Sequence, residues 1–465
     1  MTSPPAPSAS PLPRVLGLAA AIAIVVGEVI GSGIFFKPAE VARATGGYVG
    51  LILALWVACG LVNLCGALTL AELSAMFPHA GGTYVFLRET YGRLWSFLWC
   101  WAEFWVIRTG AIAALAVYST VSLQQLIAAR PISPTDPEWK TVRDLTAMSM
   151  IALLGAVNIA GTHWGGRVQT VMTIIKVAFV ALLGLLPFIA LGEGEQIADP
   201  WWPESVDVPL LAGIGGALAA IMWAYDGWGN VTVIAGEMHQ PERDVPRALV
   251  SGVLLLVVLY FGANLAYHLT LPSKTIAAEF IPAQAVCEKL LPGYGAKLLV
   301  AMLVVSSFGA LNGNILVGPR VLYAVAQDFP SLGRLGHVHA RRQTPAWSIA
   351  LMCAWAMALI VLPDRRADQS VILADWLTNY CVFGGSIFYL SAVVALFVLR
   401  IRRPDAHRPY RAWGYPLTPA IFVVFYVFFL SSMVWARPSE CLWGLSLIAA
   451  GFVVYWLMPQ QKSKT

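Results

Sequence analysis

VIGSGIFFKP, residues 29–38, and YDGWGN, residues 225–230, decide the fold of this chain, because each interrupts a long apolar segment near its middle. Glycine weakens a helix by about 1 kcal/mol relative to alanine, and an opened backbone in hydrocarbon leaves N–H and C=O groups without partners. Such breaks persist in a membrane only where they line a cavity or bind a ligand. Close packing of two helices at small residues is the alternative explanation for either break taken alone.

The composition is that of a membrane protein. Of the 465 residues, 58% are hydrophobic and only 12% are charged, which is about half the charged share of an average soluble domain. Glycine and proline are frequent, with 40 and 29 copies, as helices in lipid tolerate. A soluble fold is therefore excluded. The formal net charge of +5 is too small to indicate a nucleic-acid partner, and the composition instead predicts contact with the lipid bilayer.

About twelve segments have the length of roughly 20 apolar residues that a membrane-spanning helix needs. The sequence therefore predicts an all-α polytopic membrane protein. A Pro- and Ser-rich tail precedes the first segment without a signal-peptide cleavage site, so we expect a cytosolic leader. The predicted spans are residues 15–42, 49–76, 94–128, 145–162, 168–191, 209–238, 246–270, 296–327, 346–362, 371–399, 413–434 and 440–458.

The distribution of Lys and Arg predicts the orientation of the chain. With a cytoplasmic N-terminus, the cytoplasmic loops and tails hold about 16 Lys and Arg residues, against about 9 on the other side. The loop between the fifth and sixth spans would lie on that other side, and it has no Lys or Arg. The positive-inside rule therefore predicts a multi-pass protein of the cell inner membrane with both termini in the cytoplasm.

The sequence predicts neither a metal nor a cofactor nor a disulfide framework. Its seven cysteines form no CxxC pair or metal-spaced cluster, and the histidines form no HExxH motif. A membrane-embedded enzyme would need a nucleophile and a base, or a metal cluster, near one membrane face, and the sequence offers no such set. A nutrient sensor would carry a signalling domain, whereas only short tails extend beyond the predicted spans. A transporter is favoured over both.

The two breaks lie about 195 residues apart, in the first and the sixth predicted span. This spacing is expected if spans one to five and six to ten form an inverted repeat, and broken helices at matching places in two halves indicate a transporter site. The predicted parts are a cytosolic tail at residues 1–14, a transporter core at 15–400 with repeats at about 15–191 and 209–399, and two C-terminal helices with a tail at 401–465.

A broken helix offers free N–H groups and a positive dipole end on one half, and free carbonyls with a negative end on the other. The two breaks together therefore suit a zwitterion such as an amino acid. Its carboxylate is expected at the backbone amides of Ser32, Gly33 and Ile34. Its ammonium is expected at the backbone carbonyls of Val29, Trp223, Ala224 and Asp226.

Lys176 lies inside the apolar run VMTIIKVAFVALL of the fifth predicted span. An ammonium within the membrane costs several kcal/mol unless it is paired or points into a polar cavity. Snorkelling to the membrane surface is disfavoured, because Lys176 lies roughly 13 Å along the helix from the end at Arg167. The position therefore predicts a functional role for Lys176.

Further polar groups lie within predicted spans. Glu103 and Arg108 of the third span are five residues apart, or about 140° around an α-helix, so we expect them not to pair with each other. Asn230 in the second break and Asn312 in the eighth span could serve a substrate or a gate, or could hydrogen-bond between helices. Asp226, in the second break, could attract a cationic side chain or cap the opened helix.

Five motifs, in register over roughly residues 14–460, resemble those of the L-type amino acid transporter branch of the amino acid, polyamine and organocation superfamily. This branch includes bacterial exchangers of serine and threonine. The resemblance implies the leucine-transporter fold with two additional C-terminal helices, alternating access, and obligatory exchange of amino acids without sodium. The motifs are VIGSGIFFKP, PHAGGTYVFLRETYG, WAYDGW followed by GE and a Pro-rich loop, FGALNGNILVGPRVLYAVA and HVHARRQTP.

The resemblance also implies roles for individual residues. Trp223 matches the bulky aromatic residue that covers the bound substrate as an outer gate. Inner gates in such proteins are commonly ionic, and Glu237 and Arg320 are candidates for one. The backbone that contacts substrate matches Gly31, Ser32 and Gly33 for the carboxylate, and Val29, Trp223 and Asp226 for the ammonium.

Lys176 matches the fifth-span lysine of the family, whose ammonium lies where sodium-coupled relatives hold a cation. It would bridge backbone and hydroxyl oxygens of the first and eighth spans, at Ser306 or Ser307, with Tyr260 of the seventh span nearby. Arg108 matches a position in animal members of the family, and either a contact with an anionic substrate side chain or a pairing with another helix is compatible with that match.

These observations predict a sodium-independent antiporter that exchanges neutral L-amino acids such as serine, threonine and alanine by alternating access. A proton-coupled amino acid symporter is the alternative, since some bacterial relatives with an equivalent lysine use protons. Animal light chains of the family attach to a glycoprotein heavy chain through a cysteine in the loop after the third span. Residues 129–144 contain no cysteine, so no disulfide-linked heavy chain is expected.

Overall fold

The computed structural model describes residues 12–127, 137–190, 199–361, 370–436 and 438–458. These residues form helices joined by short connections, and β-structure among them is limited to a single isolated bridge between Leu16 and Met238. The prediction of an all-α polytopic membrane protein is confirmed. Within the described ranges, nine helices are long and apolar enough to cross a membrane, one bent pair of helices would form a tenth span, and two more apolar helices are shorter.

These helices match the twelve predicted spans, and their ends mostly lie within a few residues of the predicted ones. We number them as spans 1 to 12: Leu18–Val29 with Gly33–Ala44, Val49–Met76, Arg93–Ile127, Pro137–Ala160, Thr162–Ala190, Val208–Ala224 with Trp228–Glu237, Pro241–Thr270, Gly295–Val317 with Pro319–Asp328, Ala346–Val361, Ser370–Arg402, Leu417–Ala436 and Pro438–Leu457. Three short α-helices and one 3-10 turn of the described residues lie outside the spans: Thr83–Tyr91, Ser273–Ala278, Pro282–Leu290 and Pro330–Leu332.

The outer surface of the bundle is apolar. Large hydrophobic side chains on the outward faces of the spans are exposed, among them Ile189, Val258, Val424 and Trp456. A soluble protein does not leave so much contiguous apolar surface in water, whereas hydrocarbon is the natural surrounding of these side chains. By contrast, the first half of span 1, Leu18–Val29, is apolar except for Glu28 and mostly buried, so this half-helix runs through the interior of the bundle.

Both predicted breaks are present. Span 1 is interrupted between Val29 and Gly33, where its two halves bend by 40°. Span 6 is interrupted at Tyr225–Gly227, where Gly227 has a φ of +110°, a value that residues with a Cβ rarely adopt. Beyond this turn the chain continues as a 3-10 helix through Glu237.

The two broken spans cross each other in opposite directions. The first half of span 1 packs on the second half of span 6, and the second half of span 1 packs on the first half of span 6. A Cβ on Gly33 would lie 2.8 Å from the Cα of Ala224, so only glycine allows this approach at the breaks. Spans 2 and 7, 3 and 8, and 4 and 9 also pack in pairs, which is the order that the predicted repeats would produce.

The expectation that Glu103 and Arg108 do not pair is wrong. Residues Glu103–Ile107 form a π-helix within span 3, and a π-helix places residues five positions apart on the same face. The Arg108 guanidinium accordingly donates hydrogen bonds from Nε, at 2.8 Å, and from Nη2 to the Glu103 carboxylate. The angle of about 140° between the two side chains holds only for an α-helix, and it does not apply here because the helix is locally a π-helix.

Candidate functional site

The two breaks enclose a central cavity. About 430 Å³ of space, part of it open to the surroundings, lies between spans 1, 3, 6 and 8. The predicted site residues Val29, Gly31, Ser32, Gly33, Trp223, Asp226 and Asn230 all line it. Its further lining residues are Glu28, Ala111, Leu115, Gly227 and Asn314.

The start of helix Gly33–Ala44 points N–H groups at this cavity. The first N–H groups of a helix have no acceptor within the helix, and they carry its positive dipole end. Ser32 caps this helix, and its carbonyl accepts hydrogen bonds from Phe35 and Phe36. The Gly31 amide, in contrast, donates to the Val29 carbonyl at 2.8 Å within the break. The amides of Ser32 and Gly33 are therefore the better placed of the predicted carboxylate contacts.

The hydroxyl of Tyr260 joins the carbonyl ends of both breaks. Its oxygen lies 3.0 Å from the Val29 carbonyl oxygen and 2.9 Å from the Ala224 carbonyl oxygen, and the side chain is fully buried. The Trp223 carbonyl accepts from the Asp226 amide at 3.1 Å. Three of the four predicted ammonium contacts thus lie together at the breaks, with partners from the protein itself.

Lys176 is not among the residues that line the cavity, and it is 1% exposed. Its Nζ donates hydrogen bonds of 2.7 Å to the carbonyls of Gly27 and Ile30, at the end of the first half of span 1. Ser306 of span 8 donates to the Ile30 and Gly31 carbonyls at 3.1 and 2.9 Å. Ser307 is equally buried but makes none of these contacts.

Span 8 makes space for the ammonium by lacking a side chain at Gly309. A Cβ there would lie 2.8 Å from the Cε of Lys176 and 3.1 Å from its Nζ. The Lys176 ammonium thus contacts the opened backbone of span 1, but among the described residues it forms no hydrogen bond with Ser306 or Ser307, so the expected bridge to a hydroxyl of span 8 is not made. Ser306 and Tyr260 instead bind neighbouring carbonyls of the break.

A second buried cation, Arg108, is 4% exposed and contacts three residues that line the cavity, Glu28, Asn230 and Asn314. Besides Glu103, its guanidinium donates to Asn314 at 2.8 Å through Nη1 and to Asn230 at 2.8 Å through Nη2. The Glu28 carboxylate lies 3.5 Å from Nη1. All three nitrogens thus face acceptors of the protein, which leaves Arg108 no unoccupied face toward the cavity and argues for its structural role.

Glu28 is the residue that the sequence analysis missed. It is buried in the first half of span 1, and one carboxylate oxygen accepts a hydrogen bond from Asn230. The other oxygen has no hydrogen-bond partner among the described residues, although the side chain lines the cavity. The signal was available, because a lone carboxylate in the apolar run before the first break deserves the same expectation as Lys176.

Asn312 lies away from the cavity. Its Nδ2 donates to the Gly165 carbonyl and to Gln169 Oε1, both at 3.1 Å, and its Oδ1 accepts from Asn158 at 3.1 Å. These contacts join span 8 to spans 4 and 5. Of the two roles open for Asn312, hydrogen bonding between helices is the one that the geometry favours, whereas Asn230 lies at the cavity.

The end of the bundle that holds residues 12–17 is closed by a polar cluster. Arg320 donates to the Glu237 carboxylate at 2.8 Å through Nε, and both side chains are completely buried. Arg320 also donates to Thr162 at 2.9 Å, so spans 5, 6 and 8 are joined at this point. The amides of Val15 and Leu16 donate to the Glu237 carbonyl, which seals the N-terminal segment over the cluster.

Trp223 lies at the opposite end of the cavity and is half-buried. Metal sites were not expected, and within the described ranges no group of three His, Cys, Asp or Glu side chains could hold an ion. Six cysteines are described, and each is a free thiol. The side chain of the seventh, Cys381, is not described. Residues 129–136, part of the loop in which no cysteine was found, lie outside the described residues.

A helical bundle whose first and sixth spans break around a central cavity defines a membrane transporter with the leucine-transporter fold. The comparison with known families agrees: the model of the amino acid permease family matches residues 16–458, so the chain belongs to this family. It is a multi-pass membrane protein of the amino acid, polyamine and organocation superfamily.

Individual relatives are similar over nearly the whole chain. The serine/threonine exchanger SteT of Bacillus subtilis (strain 168) is 31% identical over 97% of this chain and 98% of its own length. The large neutral amino acids transporter small subunit 2 of Mus musculus is 30% identical over 98% of this chain and 84% of its own. The Asc-type amino acid transporter 1 of Mus musculus is 29% identical over 97% and 82%. These relatives are transporters, not enzymes.

Proposed function

We propose that this protein exchanges neutral L-amino acids such as serine, threonine and alanine across the cell inner membrane, by alternating access and without sodium. The observation that carries the proposal is the position of the Lys176 ammonium, between the Gly27 and Ile30 carbonyls at the first break. A sodium ion would need such backbone oxygens as ligands, and here a covalently attached cation already binds them.

A fixed ammonium supports exchange because it cannot dissociate. A sodium-coupled carrier uses an ion that binds on one side and leaves on the other, whereas Lys176 stays in every conformation. Its positive charge also interacts favourably with the end of the half-helix, where the carbonyls carry the negative end of the helix dipole. The amino acid is then the ligand that binds and leaves the breaks. The carrier therefore needs a second bound amino acid to return to its first conformation.

The cavity favours neutral over acidic side chains. We place the substrate carboxylate at the amides of Ser32 and Gly33 and its side chain toward Asn230 and Asn314. The Glu28 and Asp226 carboxylates line the same space, so an aspartate or glutamate side chain would meet like charge. The naming of one relative as a serine/threonine exchanger supports this choice.

The gates and the orientation complete the proposal. Trp223 covers the substrate from outside, and the Glu237–Arg320 pair together with residues 12–17 closes the opposite side. We assign that closed side to the cytoplasm, with both termini. The similar protein of Mus musculus is named as the small subunit of a transporter, but we propose that this chain needs no disulfide-linked heavy chain, because residues 129–144 lack a cysteine.

The test is counterflow with the purified protein in liposomes. Vesicles loaded with unlabelled serine should take up labelled serine rapidly, with or without sodium, and unloaded vesicles should take up little. Threonine and alanine outside should compete, whereas aspartate and glutamate should not. Uptake into unloaded vesicles driven by a sodium gradient would overturn the proposal.

Proton-coupled symport is the second candidate, and Glu28 is the observation that favours it. A cavity-lining carboxyl group with one buried oxygen that has no hydrogen-bond partner among the described residues could carry a proton between the two sides. The discriminating measurement is uptake into unloaded vesicles under a pH gradient, acidic outside. Symport predicts net uptake by the wild type that Glu28→Gln abolishes. Glutamine can still accept the hydrogen bond from Asn230, but its amide cannot bind and release a proton. Exchange predicts no net uptake by either protein.

A further inference from the structure

A groove on the flank of the bundle, distinct from the central cavity, has the shape and charge of a lipid site. It encloses about 1640 Å³ of space, largely open to the surroundings, between spans 1, 2 and 7 and the connection from span 10 to span 11. Its walls are apolar and come from three spans: Leu18, Ile22, Leu64, Leu68, Val250 and Leu254.

Two arginines stand at the rim of this groove. Arg243 and Arg247 are exposed and lie four residues apart on the first turns of span 7, so their side chains share one face about 5–6 Å apart. In the part of the chain that the structure describes, neither guanidinium has a hydrogen bond or ion pair. Glu242 also lines the rim, so the groove carries a formal charge of +1.

The fourth wall is rigid because the span 10–11 connection is bound to span 2. The Glu72 carboxylate, which is completely buried, accepts hydrogen bonds from the Arg400 guanidinium at 3.0 and 2.6 Å and from the Ala412 amide at 2.6 Å. Arg408 pairs with the same carboxylate at 3.2 Å. These contacts hold Tyr410 and Trp413 against the groove.

The depth of the groove places it at a membrane surface. Span 1 begins at Leu18, span 7 at Pro241 and span 11 at Leu417, so the rim lies where three spans leave the bilayer. Trp413 is 77% exposed there, and tryptophan at this depth is typical of the headgroup region. The basic rim and the apolar walls thus lie in the order of a phospholipid headgroup and its acyl chains.

We propose that this groove binds one anionic phospholipid. Its phosphodiester lies between Arg243 and Arg247, which can both donate charge-assisted hydrogen bonds to it, and one acyl chain runs along Leu64, Leu68 and Leu254. A zwitterionic lipid such as phosphatidylcholine should bind more weakly, because its headgroup ammonium cancels the charge of its phosphate and leaves no net attraction to a rim of charge +1. The lipid would also contact Leu18 and Ile22, and so steady the first half of span 1 against span 7.

The test counts bound lipid and does not depend on transport. The full chain is reconstituted in nanodiscs of equimolar phosphatidylglycerol and phosphatidylcholine, released into detergent, and examined by native mass spectrometry. One phosphatidylglycerol should remain bound in preference to phosphatidylcholine. Arg243→Gln with Arg247→Gln should lower its retention about tenfold. The matched control is Arg341→Gln with Arg342→Gln, which removes the same charge from another exposed pair and should retain the lipid.

A second variant separates lipid loss from misfolding. Leu254→Trp adds bulk to a groove wall on the outward, exposed side of span 7, so it should displace the acyl chain while the bundle folds. Equal retention of both lipids, or unchanged retention in either groove variant, would overturn the proposal. Inorganic phosphate alone is the remaining arm: if it raises the melting temperature as much as short-chain phosphatidylglycerol does, the site binds phosphate and not a lipid. Loss of exchange with normal lipid binding would overturn only the proposed transport function.

Discussion

Two buried cations flank the first half of span 1, and their surroundings differ in kind. Lys176 donates to the Gly27 and Ile30 carbonyls, which are neutral groups, and no carboxylate of the described residues forms an ion pair with it. Arg108 donates to the Glu103 carboxylate and lies 3.5 Å from Glu28. One cation therefore compensates opened backbone, while the other is part of a cluster of ion pairs.

This difference follows from the two functional groups. An ammonium is a compact charge with three donors, which suits converging carbonyl oxygens at a helix end, whereas the planar guanidinium suits a carboxylate on one edge and amides on the other. The difference in surroundings also predicts different consequences of removing each cation. Removing Lys176 leaves neutral acceptors behind, but removing Arg108 leaves buried negative charges without a partner.

The largest effect on stability is expected from Arg108→Met. Glu103 and Glu28 would both lose their cation, and breaking a buried ion pair by removing one partner costs about 3–5 kcal/mol. We expect a strongly lowered melting temperature and yield, measured by fluorescence-detected size-exclusion chromatography. Adding Glu103→Gln and Glu28→Gln to this variant should recover much of the loss. A single Arg108→Met variant as stable as the wild type would contradict the description of the cluster.

Lys176→Met is expected to lower exchange more than stability. The Gly27 carbonyl loses its donor, but Ile30 still accepts from Ser306, and no buried carboxylate is left unpaired, so about 1–3 kcal/mol of stability is lost. Counterflow of serine should fall at least about tenfold, because the break loses the cation that holds its geometry. Lys140→Met is the control: that lysine is 58% exposed and pairs with Asp144 near the surface, so stability should fall by less than about 1 kcal/mol and exchange should be unchanged. Full exchange by Lys176→Met would remove the basis of the proposed function.

The smallest effects are expected from two glycines of span 8, of which Gly309 lies against Lys176 of span 5 and Gly313 against Glu28 of span 1. A Cβ at Gly309 would lie 2.8 Å from the Cε of Lys176, and a Cβ at Gly313 would lie 2.5 Å from the Cγ of Glu28. Gly309→Ala should lower the maximal exchange rate a few-fold, and Gly313→Ala should chiefly raise the KM for serine. Gly216→Ala, with no atom within 4 Å of the added Cβ, is the matched control. Identical behaviour of all three variants would contradict both assignments.

Much of the fold could be predicted from the sequence, because its main features are encoded by composition and spacing. Long apolar runs define the spans, and Gly-rich interruptions in the first and sixth of them define the breaks. The neighbourhood of Lys176 was also predictable, since an ammonium in hydrocarbon needs oxygen atoms and the first break supplies them.

The remaining part of the site could not be predicted by the same means. The pairing of Glu103 with Arg108 depends on a π-helical turn, which shifts the face of a helix by one residue without leaving a mark in the hydrophobic pattern. The 3-10 helix after Gly227 is a similar case. Glu28 was predictable from its apolar surroundings, but its unpartnered oxygen depends on how Asn230 and Arg108 are oriented around it.

The Tyr260 hydroxyl cannot donate a hydrogen bond to both broken spans at once. Its oxygen lies within bonding distance of the Val29 and Ala224 carbonyls, but a phenol has a single hydrogen and can donate to only one of them at a time. The Val29 carbonyl also accepts from the Gly31 amide, so the phenol can donate to Ala224 while Val29 keeps that backbone donor. Each carbonyl oxygen can accept a second hydrogen bond, and a substrate ammonium brings three hydrogens, so loading would tie the two broken spans together more firmly than the empty carrier can.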